Sequence, residues 1–155
     1  MKQEHRFVAQ LFGYLAPFVD DAKPLYLSLD GEAAKKGVRE SHFKDPTVPD
    51  IWLTLVDKRE LRIEAKILSG NDRFIVGKEQ LSAWFATGKG AHPPTGWVVA
   101  NEKLTDFYYW AHSEIAHQPT KAIQGGRYYE VRAPTMKRTF GTVREVALHI
   151  LGAAT

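Results

Sequence analysis

The chain has 155 residues, enough to bury one core of its own, and its 44% hydrophobic and 12% aromatic content excludes a disordered polymer. It has no cysteine, so disulfides and cysteine-based zinc sites are excluded; with no membrane-length apolar run and no signal-like start, a cytoplasmic protein without a membrane partner is expected. Lys and Arg number 21 against 18 Asp and Glu, and the net charge of +3 is compatible with a polyanionic partner but far from a histone-like excess.

Phe7, Val8, Leu11, Phe12, Leu15, Phe18 and Val19 recur at helical spacing and predict an amphipathic helix from about Gln3 to Val19. After Pro24, the alternation of Leu25, Leu27 and Leu29 predicts a first strand. The stretch from Gly31 to Val48 has few apolar anchors and reads as a loop or short helix. It carries Lys35, Lys36, Arg39 and Lys44, and so delivers positive charge directly ahead of Asp50.

Two alternating runs follow, Asp50 to Val56 and Leu61 to Ile67, separated by the polar turn Asp57-Lys58-Arg59-Glu60. Beyond the turn-rich Ser69-Gly70-Asn71-Asp72, a helix is predicted from about Lys78 to Ala86, ended by Gly88. Thr87 to Gly96 reads as an exposed loop, and Trp97 to Ala100 as a buried strand. A helix over about Thr105 to His117 and a strand over Arg127 to Arg132 are predicted next. Thr142 and Glu145 have capping-box spacing before a closing helix.

Register links the two central runs. If they pair as a hairpin, burial selects the alignment in which Ile51, Leu53 and Leu55 share a face with Ile63, Ala65 and Ile67. Asp50, Glu64 and Lys66 then emerge together on the opposite face. Carboxylates suit hard divalent cations, and a neighbouring ammonium can offset charge on a phosphate, so this trio could hold a metal beside a phosphodiester. The bland reading is a solvated polar face on a half-exposed sheet. Asp21-Ala22-Lys23 is an acidic-x-Lys run of the same kind as Glu64-Ala65-Lys66, but is expected to lie where the first helix ends.

Pro49-Asp50, thirteen residues and Glu64-Ala65-Lys66 resemble the motif of the PD-(D/E)xK nuclease superfamily. The order helix, three strands, helix, strand resembles that family too. The resemblance implies an α/β fold with a restriction-endonuclease-like αβββαβ core, a central mixed sheet flanked by helices. It also implies that Asp50, Glu64 and the carbonyl of Ala65 hold Mg²⁺, with Mn²⁺ able to substitute, and that Lys66 serves the attacking water or the phosphate. Gln80-Leu81-Ser82-Ala83-Trp84 is similar to the glutamine motif of the RecB-like exonuclease branch, with Trp84 in place of its usual tyrosine. Gln80 is then expected on a DNA phosphate or the attacking water. Glu4, on the first helix, would be the family's further acidic residue facing the metal; otherwise it simply favours the helix dipole.

Lys78 joins Lys35, Lys36, Arg39 and Lys44 as an expected DNA contact, or is surface charge. Tyr108, Tyr109 and Trp110, with Tyr128 and Tyr129, could stack bases, form a subunit interface, or fill core and rim. The six histidines show no tight metal spacing. Neither a phosphate-binding G-x-x-x-x-G-K-[ST] loop nor a G-x-S-x-G elbow occurs, so no nucleotide cofactor is expected. The expectation is therefore a single-domain Mg²⁺-dependent deoxyribonuclease, restriction-like or junction-resolving, working as a homodimer. The competing expectation is a non-catalytic DNA- or protein-binding module of the same fold.

Overall fold

The structure, a computed structural model, describes residues 3–22, 49–70, 72–85, 92–135 and 139–152, with the side chains of 3–5 and 21–22 left aside. The chain opens with helix α1 (Gln3–Leu15), which turns Phe7, Val8, Leu11 and Leu15 into the core. The helix stops there rather than at Val19. Pro17 cannot donate to a continuing helix, so Ala16–Phe18 tightens into a 3₁₀ turn and Val19 enters strand β1 (Val19–Ala22). Asp21-Ala22 therefore lies on a strand, not at a helix end. The predicted strand from Leu25 to Leu29 lies outside the described residues, as do Lys35, Lys36, Arg39 and Lys44.

Strands β2 (Ile51–Leu55) and β3 (Glu60–Ile67) form the expected antiparallel hairpin. Its register sets Ile51 opposite Ile63 and Leu53 opposite Leu61. After β3 come β4 (Arg73–Gly77), helix α2 (Lys78–Trp84) and strand β5 (Gly96–Ala100), which returns parallel to β3. Such a parallel pairing needs a crossover, supplied here by β4 and α2.

The predicted helix over Thr105 to His117 is instead strand β6 (Phe107–Ala111) followed by one helical turn, α3 (His112–Ile115). A helix would have scattered Phe107-Tyr108-Tyr109-Trp110 around its circumference, whereas a strand sorts them by alternation. Phe107 and Tyr109 go to one side of the sheet, Tyr108 and Trp110 to the other. Tyr109 lies across Gly96, where an added Cβ would meet its ring carbon at 2.6 Å. The chain ends with β7 (Thr120–Ile123), a 3₁₀ turn, β8 (Tyr128–Arg132) and helix α4 (Val143–Gly152).

The result is a mixed α/β fold. A five-stranded mixed sheet runs β1-β2-β3-β5-β6, and a three-stranded antiparallel sheet runs β4-β8-β7. Helices α1 and α4 cover one face of the large sheet, packing Leu11 and Val146 against Ile51, Leu53, Ile63 and Ala65. The other face meets α2, α3 and the small sheet, where Trp97, Val99 and Trp110 pack with Phe74, Val76, Trp84 and Val131. Two cores thus sandwich one sheet. Among the described residues no helix is long and apolar enough to cross a membrane.

Candidate active site

Pro49 brings no N–H to the ladder, and pairing of β2 begins only at Ile51. Asp50 sits at the bend between them. Its side chain takes the place a partner carbonyl would have filled: Oδ2 accepts a 2.8 Å hydrogen bond from the Ala65 N–H of β3. This bond is the physical link between the two halves of the motif.

The Ala65 carbonyl lies on that same side. Arg62 directs both its backbone groups toward the β5 side, its N–H to Thr95 Oγ1 at 3.0 Å and its carbonyl to the Thr95 N–H at 2.6 Å. Backbone direction alternates along a strand, so odd-numbered Ile63 and Ala65 turn theirs toward β2. Asp50 and the Ala65 carbonyl therefore share one strand edge.

Glu64 and Lys66 alternate with Ala65 and emerge on the α2 face, opposite Trp97 and Val99 of β5. This face is not the solvated polar surface of the bland reading. Asp50 is 8% exposed and Glu64 3%, and they are the buried charged residues among those described. Around Glu64 burial arises because β4 and α2 fold back over this face and set Gln80 against it. The apolar partners of that covering are Phe74, Val76 and Trp84.

Gln80 joins the two ends of the trio. It is the third residue of α2, and its Oε1 accepts from the Gly77 N–H at 3.2 Å, a cap for the helix start. The same oxygen accepts from Lys66 Nζ at 2.9 Å, while Nε2 donates to Glu64 Oε2 at 3.2 Å. Reversing the amide would set its NH₂ against the ammonium and its oxygen against the carboxylate, so the network fixes its orientation. Lys66 Nζ lies 3.5 Å from Glu64 Oε2 with only 12% of its side chain exposed.

Behind Glu64, Trp97 forms the floor. Its Nε1–H donates to His112 Nδ1 at 3.0 Å, and the opposite ring nitrogen of His112 reaches the Trp84 carbonyl at 2.9 Å. Both bonds are satisfied by the neutral ring carrying its proton on Nε2, and burial holds the His112 pKa below the ordinary imidazole value. Trp84, standing where the glutamine motif has tyrosine, is buried core.

The structure thus gathers Asp50, Glu64, Ala65, Lys66 and Gln80. Lys78 is exposed, and its backbone N–H donates to the Arg127 carbonyl at 3.1 Å. Glu4 opens α1, which packs against the opposite face of the sheet, and its side chain lies outside those described. What the sequence reading missed is β4, whose end at Gly77 sets α2 over Glu64. The alternation of exposed Arg73 and Ile75 with buried Phe74 and Val76 was the signal available.

Among the described residues no group of three or more His, Cys, Asp or Glu comes together. A cation held here would take two carboxylates and complete its shell with main-chain or water oxygens, a hard donor set that suits Mg²⁺ or Mn²⁺. Comparison with protein-family models, with curated protein sequences and with solved structures gave no match for this chain.

Proposed function

We propose that this protein is a metal-dependent phosphodiester hydrolase acting on DNA, built on a restriction-endonuclease-like core. The observation that carries the reading is the pair of buried carboxylates, one just ahead of β2 and anchored on Ala65, the other on β3 and tied to Lys66 through Gln80. Burying such charges is costly, and well-packed apolar residues would stabilise the fold as well or better. A chain that keeps them there, grouped and oriented, has a use for them. The order β1-β2-β3-β5, with β5 parallel to β3 after α2, supports the αβββαβ core, to which β4 is an addition.

Asp50, Glu64 and the Ala65 carbonyl would hold the cation. When bound, it supplies Lewis-acid polarisation of the phosphate and lowers the pKa of a water. Asp50 is positioned for this by the Ala65 N–H, which fixes one of its oxygens. Lys66 offsets negative charge developing on the phosphate or binds the attacking water. Gln80 holds Glu64 and Lys66 at fixed separation, so neither must reorganise when substrate arrives. One site hydrolyses one strand, so duplex scission calls for a second copy of the chain.

The test is a digest of linear, circular, single-stranded and four-way DNA. Cleavage of at least one substrate in Mg²⁺ or Mn²⁺, abolished by EDTA, is the expected result. No cleavage of any substrate, or equal cleavage in EDTA, would refute the reading and favour a binding module.

A further inference from the structure

The outer face of the small sheet takes no part in the site. Phe74, Val76 and Val131 face inward, so alternation leaves Arg73, Ile75, Tyr128 and Arg132 outward. Register sets Arg73 beside Arg132 and Lys121 beside Glu130. These four residues, with Pro119 and Thr120, line a shallow cavity of about 160 Å³. Arg73 reaches Glu130 at 3.3 Å and Asp72 at 3.7 Å, and Arg132 reaches Asp72 at 3.9 Å. Such exposed ion pairs are weak and exchange readily for another anion.

A second basic cluster lies at the opposite end of the same strands. There Lys78 begins α2, bonded through its N–H to the Arg127 carbonyl. Five cations on this face and its rim stand against Asp72, Glu79 and Glu130. The two ends are four strand residues apart, about 13 Å, the axial rise of roughly four nucleotides of one strand. Between them lies Tyr128, 43% exposed, opposite the side-chain-less Gly77 and flanked by exposed Ile75. Its ring therefore meets no side chain directly across on β4, while Ile123 lies across from it on β7.

We propose that this face binds an unpaired nucleic-acid strand. Its phosphates would lie on Arg73, Lys121 and Arg132 at one end and on Lys78 and Arg127 at the other, with a base stacked on Tyr128. Cations at both ends of the face and an exposed aromatic between them suit a single strand, since every base has a face to stack. The strand leaves this surface at the start of α2, whose Gln80 holds Glu64 and Lys66, so the proposal rests on the nuclease reading for its purpose.

The experiment is fluorescence anisotropy of a labelled oligothymidylate and of a matched duplex, in EDTA, with the full chain. Lys121→Glu with Arg132→Glu should weaken single-strand binding about tenfold or more and flatten the salt dependence by about 1.4 in log–log slope. Tyr128→Ala should cost about fivefold to tenfold on the single strand and much less on the duplex. The control pair Lys103→Glu with Arg144→Glu makes the same charge change elsewhere and should do little. If the double variant melts early, Lys121→Gln, on an exposed edge strand, should still weaken binding about threefold.

Equal losses in the test and control pairs would overturn the proposal, as would absent single-strand binding. Equal losses on both ligands with Tyr128→Ala would remove the stacked base. Hydrolysis plays no part in EDTA, so the two readings fail separately. Cleavage that survives with no effect of these variants on binding sinks this surface alone. Localised binding without cleavage in Mg²⁺ or Mn²⁺ sinks the nuclease reading and leaves the surface standing.

Discussion

The two faces of the large sheet are made by the same strands and differ by one step of alternation. Toward α1 and α4, β2 and β3 present Ile51, Leu53, Leu55, Leu61, Ile63 and Ala65, all apolar and all buried. Toward α2 the same strands, with the residue ahead of β2, present Asp50, Trp52, Arg62, Glu64 and Lys66. The first face is covered throughout and the second over Asp50, Trp52 and Glu64, yet only the first obeys the rule that covered positions are apolar. Departures from local rules concentrate where function has been selected over stability, and here the departure is confined to one end of one face. Farther along that face, Trp97, Val99 and Trp110 restore an ordinary core.

The contrast breaks first on activity. Asp50→Ala and Glu64→Ala should each lower DNA cleavage by on the order of 10³ or more, because each removes a charge that the proposed hydrolysis needs. Near-wild-type rates in either variant would erase the distinction between the faces. Lys66→Ala should cost about 10²-fold, and Gln80→Ala about 10- to 100-fold through loss of orientation. The Gln80 variant also uncaps the Gly77 N–H, so a loss of about 1 kcal/mol in stability should accompany it.

On the apolar face the effects should be reversed in kind. Ile63→Ala leaves a cavity at a fully buried position and should cost about 2–5 kcal/mol in urea unfolding. The folded fraction should keep its rate of cleavage per molecule. A large fall in that rate would mean the site is sensitive to any change in β3.

The smallest effect concerns pH. The folded-state pKa of His112 lies below its unfolded value, mainly through burial. Its contribution is therefore fully present above about pH 6.5 and is lost as pH falls from there through the folded pKa. Melting temperature should decline over that range, and His112→Gln should flatten the decline. An unchanged profile would show that the Trp97–His112–Trp84 chain is not what titrates.

Much of this was legible because the hairpin declares itself. Ile51, Leu53, Ile63 and Ala65 fix a register in which Asp50, Glu64 and Lys66 must share a face, and the structure has that register. The burial of that face was not legible. It is made by β4, α2 and β8, the last more than sixty residues beyond Glu64, and no local pattern reports such a covering. β1 and β7 escaped notice because Val19-Asp20-Asp21-Ala22 and Thr120-Lys121-Ala122-Ile123 are short edge strands with little apolar alternation. The aromatic run at 107–110 fits helix and strand equally by spacing, and its partner β5 decides the matter.

The central claim is that Asp50 and Glu64 are buried together in order to hold a cation. Thermal unfolding of the wild type, Asp50→Asn and Glu64→Gln, each in EDTA and in a Mn²⁺ series, tests it most directly. Both substitutions remove a buried charge, and in Asp50→Asn the amide oxygen can still accept from the Ala65 N–H. In EDTA Asp50→Asn should stay near the wild-type melting temperature, whereas Glu64→Gln, which leaves the Lys66 ammonium without its carboxylate, should melt lower. Rising Mn²⁺ should stabilise the wild type by mass action and leave the variants unmoved. Equal Mn²⁺ responses in all three proteins, or none in the wild type at millimolar ion, would contradict the claim.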